Sequence, residues 1–133
     1  MPSFSNRSLL KLATVHPDLQ TLFHEVIKEY DCTVIYGVRS LGEQQGLYAQ
    51  GRTIDGNIVT NCDGVEKRSK HQDGYAVDVV PWPVDWKDFN RIRTFGWYVK
   101  GIAQMLKRCG KIDNDIRWGG DWHRFVDYPH FEI

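Results

Sequence analysis

The sequence predicts an α+β fold in a single domain. Three observations carry this. The chain has 133 residues, the size of one domain around one core. Its segments run helix, strand, helix, loop, strand, long helix, strand, strand, so the strands cluster late. No regular βαβ rhythm is kept, which disfavours a parallel α/β sheet.

The first helix begins near Pro17. Leu19, Leu22, Phe23, Val26, Ile27 and Tyr30 recur every three or four residues and mark one apolar face. Cys32 to Val38 is rich in β-branched residues and reads as a strand. Ser40, with Glu43 three residues on, has the chemistry of a capping box, so a helix from Leu41 to near Gly51 follows. Residues 52–70 are polar and glycine-bearing and read as a long loop, with a hairpin suggested around Asp55-Gly56. Long loops in compact domains are usually functional or disordered, and this one leads into His71.

Tyr75 to Val80 reads as a short strand. Asp85 caps a helix from Trp86 to about Cys109, with Phe89, Ile92, Arg93, Gly96, Val99, Ile102, Ala103 and Leu106 along its buried stripe. Gly110 is its stop. Ile116 to Gly119 and His130 to Ile133 complete the strands.

Seventeen basic and seventeen acidic residues cancel, so no global field draws the chain onto nucleic acid. The local run Lys67, Arg68, Lys70 reads as a solvated loop. No segment approaches the roughly 20 apolar residues of a membrane helix. Met1 to Leu12 carries Arg7 and Lys11 but no apolar core, so no secretory signal is expected and synthesis is placed in the cytosol. Cys32, Cys62 and Cys109 have neither disulfide nor zinc-finger spacing. Cys32 and Cys109 are expected buried and Cys62 exposed.

The strongest local clue is Asp78, inside the apolar run Ala76-Val77-Asp78-Val79-Val80. A carboxylate there costs several kcal/mol unless it is paired or bound to a metal. Alternation puts Ala76, Asp78 and Val80 on one face. A turn at Asp73-Gly74 can fold His71 back over that strand. In the last strand His130 and Glu132 share a face. If it lies beside the Asp78 strand, His71, Asp78 and His130 converge. Two imidazoles and one carboxylate leave a tetrahedral zinc one open position, which separates a catalytic site from a structural one. Glu132 is placed to fix an imidazole N–H. His16, His24 and His123 carry no such pattern, although His123 follows Trp122 in a turn that can reach a cleft.

A hydrolytic centre also needs a base and a group for the developing oxyanion. Asp127, three residues before His130, is preferred as the base over Asp121. Arg39, at a strand end, suits an oxyanion or a substrate carboxylate, with a plain salt bridge as the alternative. The Ser69 hydroxyl either binds substrate or closes the turn. Trp82, Trp118 and Trp122 read as cleft walls or as core.

The pattern S-x-H-x-x-G-x-A-x-D, at Ser69, His71, Gly74, Ala76 and Asp78, resembles the VanX/VanY-type zinc D,D-peptidases. The later D-x-x-H, at Asp127 and His130, resembles that family's phage endolysins, the L-alanyl-D-glutamate endopeptidases, whose D,D-dipeptidase cousins carry Glu there. Gly37-Val38-Arg39-Ser40 is similar to the family's strand-end arginine. The resemblance implies a hedgehog/D,D-peptidase type α+β fold, a small, mostly antiparallel sheet flanked by helices. It implies one Zn2+ per chain on His71, Asp78 and His130, with Asp127 as general base and acid. Arg39 then steadies the oxyanion, and Arg39 and Ser69 bind substrate.

The implied substrate is the stem peptide of peptidoglycan, cut at the L-alanyl-D-glutamate bond during host cell lysis. Residues 1–133 are then expected to form one catalytic domain with no separate cell-wall-binding domain. A monomer made in the host cytoplasm, released by a holin and acting on the periplasmic wall is the corresponding biology. Two alternatives stand beside it: a D-alanyl-D-alanine carboxypeptidase with the same site, and a non-catalytic zinc-stabilised binding module.

Overall fold

Ser5, His16, Ser40 and Asp88 each place a side-chain acceptor on a free N–H of the turn that follows, and a helix starts after each. In the computed structural model, which describes residues 1–133, these are α1 (Asn6–Leu12), α2 (Pro17–Val26), α3 (Leu41–Ala49) and α4 (Phe89–Arg108). The strands are β1 (Cys32–Tyr36), β2 (Ala76–Pro81), β3 (Arg117–Trp118) and β4 (His130–Glu132). They form one sheet in the order β1-β2-β4-β3, with every pairing antiparallel. This is the small antiparallel sheet with flanking helices that the sequence and its resemblance led us to expect.

All of β2 is buried, so both faces of the sheet are covered at its centre. Val77 and Val79 join Val34, Phe131 and the apolar stripes of α2 and α4 in the main core. The rings of Phe23 and Phe131 meet edge to face at 5.3 Å. Asp78 and Ala76 point to the opposite face.

Strand β1 has a free edge, which α1 and the turn after it cover. Ser8 Oγ accepts from the Val34 N–H at 3.0 Å, Lys11 Nζ donates to the Ile35 carbonyl at 2.9 Å, and Thr14 Oγ1 accepts from the Val38 N–H at 2.9 Å. The approach is so close that a Cβ on Gly37 would clash with the Lys11 carbonyl oxygen.

Several boundaries differ from those read in the sequence. Helix α1 was not anticipated, since its short apolar pattern is completed only by β1. Helix α2 ends at Val26, and its apolar pattern continues through turns to Tyr30. Strand β1 ends at Tyr36 rather than Val38, and β2 is shifted by one residue to Ala76–Pro81. Helix α4 starts at Phe89, because Asp88 supplies the cap; Asp85 instead accepts from the Lys87 N–H and closes a turn. With the helix starting there, Phe89 overhangs solvent at 66% exposure and Arg93 faces outward, while Phe95 fills the core. Cys109, at the helix end, is exposed rather than buried, and Cys62 is half-buried. In place of the hairpin near Asp55 there is an isolated parallel bridge between Gln50 and Ile54.

Candidate metal centre and active site

Pairing of β2 with β4 sets Asp78 opposite His130. Opposed residues of an antiparallel pair share a face, so both side chains project away from the hydrophobic core. His71 reaches them from a 3-10 turn, Lys70–Asp73. Ser69 and Gln72 cap that turn reciprocally, and Gly74 ends it at φ 77°, a left-handed conformation suited to glycine. All three side chains are buried.

The donor atoms form a nearly equilateral triangle. His71 Nε2, His130 Nδ1 and Asp78 Oδ1 lie 3.2 Å from one another on each edge. Ligands about 2.0–2.1 Å from a tetrahedral ion stand about 3.3 Å apart, so the triangle fits one face of a zinc tetrahedron. The remaining ring nitrogens are already engaged. The Gly37 carbonyl accepts from His71 Nδ1 at 3.0 Å, and Glu132 Oε1 accepts from His130 Nε2 at 2.8 Å. Both acceptors carry no proton, so they fix tautomers that turn the other nitrogen of each ring toward the triangle. The chemistry of the donor set therefore fits a divalent ion with an open position.

Asp78 has a second task. Its Oδ2 accepts from Arg39 Nη2 at 3.2 Å. A bulge in β1 between Val34 and Tyr36 sets Tyr36 opposite Asp78, and the Arg39 guanidinium lies 4.3 Å from the Tyr36 ring centre. Arg39 thus makes the salt bridge that was its alternative reading, and it also lines the cleft over the triangle.

The electrostatics follow from this packing. Burial alone would raise the Asp78 carboxyl, but hydrogen bonds and charge from His130 and His71 hold it far below the usual range. Burial opposes a charged His130, yet its bonds to Asp78 and Glu132 prevail and raise the ring to about 9 before any ion binds, so an ion must displace a proton from Nδ1 to take its place in the triangle. Burial works against the Glu132 carboxylate too, and His130 and Lys70 outweigh it, lowering the group to about 2. Asp127 moves the other way. Burial and then the charge of Asp78 push it up to about 6, against the opposing pull of His130, His71 and Arg39. Burial keeps this carboxyl easier to protonate than its neighbours Asp78 and Glu132.

Asp127 Oδ2 stands 4.0 Å from His130 Nδ1, beside the triangle and outside the ligand set. The cleft above is about 270 Å3, walled by residues 59–62 and by Trp122 and Phe125. Trp122 packs its ring 5.0 Å from that of His130. Ser69 lines the cleft while its oxygen accepts from the His71 N–H at 3.2 Å, so it closes the turn and keeps its own proton to donate.

Other candidates lie elsewhere. Asp121 pairs with Lys100 at 2.7 Å, and His123 is exposed. His16 caps α2, His24 is exposed, Trp118 is core and Trp82 is 56% exposed. Lys70, read as a solvated charge, instead holds Glu132 at 3.2 Å. The sequence reading missed Gly37 and Gln44. A glycine after a β-branched run signals close backbone approach and could have flagged Gly37. No sequence signal separates Gln44 from Gln45.

A buried two-imidazole, one-carboxylate set beneath a cleft, with a carboxyl beside it, is the arrangement that metal-dependent hydrolases use. A family model described as phage L-alanyl-D-glutamate peptidase matches residues 2–133, and the chain belongs to that family. It is 38% identical over 114 residues to the peptidoglycan L-alanyl-D-glutamate endopeptidase CwlK of Bacillus subtilis (strain 168), a match covering 80% of this chain and 62% of that relative's length. It is 30% identical over 136 aligned positions to the L-alanyl-D-glutamate peptidase of Escherichia phage T5, covering 98% of this chain and 88% of the relative. Among solved structures, Serratia marcescens L-Ala D-Glu endopeptidase ChiX superposes with a TM-score of 0.68 at 27% identity, covering 99% of this chain and 90% of that one.

Proposed function

We propose that this protein is a zinc-dependent peptidoglycan endopeptidase that hydrolyses the L-alanyl-D-glutamate bond of the stem peptide. The observation that carries the reading is the 3.2 Å donor triangle with Asp127 4.0 Å from one of its members. His71, Asp78 and His130 hold one Zn2+ per chain. When bound, such an ion polarises a carbonyl oxygen and makes water more acidic.

The chain's own groups do the rest. Asp127 accepts the proton of the attacking water and returns it to the leaving amine nitrogen, a task suited to a carboxyl that stands beside the triangle and outside the ligand set. Arg39 holds the outer oxygen of Asp78 in place, and its fixed charge steadies the oxyanion that develops in the cleft. Ser69 donates its hydroxyl proton to the bound peptide. Glu132 and the Gly37 carbonyl hold the imidazoles in their working tautomers.

No helix is long and apolar enough to cross a membrane. On this reading residues 1–133 act as one catalytic domain. The protein is a monomer made in the host cytoplasm, released by a holin and active on the periplasmic wall during host cell lysis.

Mass spectrometry of products from purified peptidoglycan tests the proposal. New N-termini on D-glutamate are expected. Released D-alanine would make the protein a carboxypeptidase, and intact peptidoglycan would leave a zinc-stabilised binding module.

A further inference from the structure

Helix α3 buries one residue, and that residue is polar: Gln44 is 0% exposed. A buried amide is destabilising unless its atoms find partners. Gln44 finds three. Its Oε1 accepts from Arg39 Nη1 at 3.2 Å, and its Nε2 donates to the Cys62 carbonyl at 2.8 Å and to Thr60 Oγ1 at 3.2 Å. Thr60 and Cys62 belong to the cleft wall, and Arg39 holds the outer oxygen of Asp78. Gln44 itself does not line the cleft.

Arg39 depends on this contact. Its guanidinium has two hydrogen bonds, one to Asp78 and one to Gln44, while Nε is buried without a partner. The face of Tyr36 supports the group but does not fix its rotation in the plane. Without Gln44 only the Asp78 contact sets that rotation.

We propose that Gln44 is a positioning residue whose two amide atoms have separable tasks, and this rests on the peptidase reading above. Its Oε1 sets the Arg39 guanidinium against Asp78. Its Nε2 holds the 60–62 wall at the distance the bound peptide requires.

Two near-isosteric variants separate the tasks. Gln44→Glu keeps an acceptor for Arg39 and turns a carboxylate onto the Cys62 carbonyl. Gln44→Met keeps the volume and loses both interactions. With a soluble stem peptide as substrate, Gln44→Glu raises KM about tenfold and leaves kcat within about twofold. Gln44→Met lowers kcat by about tenfold as well. The double variant Arg39→Lys/Gln44→Met keeps the kcat of Arg39→Lys alone, because the Oε1 task acts through Arg39, while loss of the wall contact still raises its KM.

Hydrogen exchange at the Arg39 Nη1 protons, one of which Gln44 Oε1 accepts, is read by NMR and needs no substrate. It accelerates in Gln44→Met and not in Gln44→Glu. Additive losses of kcat in the double variant overturn the proposal. So do kcat and KM changes that merely track the melting temperature in both variants. If the wild type cuts no stem peptide the peptidase reading fails, and the exchange rates alone then decide whether Gln44 sets Arg39.

Discussion

Replacing Glu132 by Gln should weaken zinc binding without touching a ligand. Glu132 is 8% exposed and uses both oxygens. Oε1 accepts from His130 Nε2 at 2.8 Å, while Oε2 faces Arg117 at 2.7 Å and Lys70 at 3.2 Å. An amide cannot satisfy both sides. With its oxygen toward His130, its NH2 meets two cations; turned over, its N–H meets the imidazole N–H. Loss of such an outer partner typically costs about 10–100-fold in metal affinity, or about 1.4–2.8 kcal/mol at 25 °C. Since neither orientation is satisfied, at least the lower figure is expected. Competition for zinc against a chromophoric chelator measures it, and melting curves with and without zinc check that the fold survives. A zinc affinity within about twofold of wild type would refute the argument that Glu132 fixes the His130 tautomer.

The remaining predictions concern the base, a close backbone contact and pH. Asp127→Ala should abolish release of D-glutamate N-termini while metal analysis still finds zinc bound; loss of zinc would make Asp127 a ligand. Gly37→Ala should destabilise by about 1–3 kcal/mol in denaturant unfolding, because the added methyl meets the Lys11 carbonyl, and it should also weaken zinc binding by displacing the carbonyl that orients His71. Burial would raise the Asp18 carboxyl, but hydrogen bonds from Asn114 and Asp113 prevail and hold it below its ordinary value. Its stabilisation is therefore present above the unfolded value and lost as pH falls through the lower folded one. The melting-temperature gap between wild type and Asp18→Asn should be full at pH 7 and shrink below about pH 4; a pH-independent gap would contradict the shift.

Much of the site was legible because its signals are local. Asp78 breaks an apolar strand, and period-2 alternation in β2 and β4 assigns Asp78, His130 and Glu132 to their faces. Ser40 with Glu43 announces a helix start that the structure keeps. Other features depend on contacts distant in sequence. Helix α1 is held largely by its grip on the β1 edge, through Ser8 and Lys11. The bulge in β1, which turns Tyr36 toward Asp78 and leads to Arg39, has no pattern of its own. Asp85 and Asp88 are chemically equivalent as caps, and only packing of the following turn chooses Asp88. Gln44 was invisible because both of its partners, Arg39 and the 60–62 wall, are defined only by the folded cleft.

The central claim is that one zinc ion, held by His71, Asp78 and His130, makes this chain a peptidase. Titrating zinc into chelator-stripped protein while counting new D-glutamate N-termini from purified peptidoglycan tests it most directly. The account predicts no cleavage without metal, a linear rise, and a plateau at one zinc per chain. Cleavage by the stripped protein, or a plateau that requires a second ion, would contradict it.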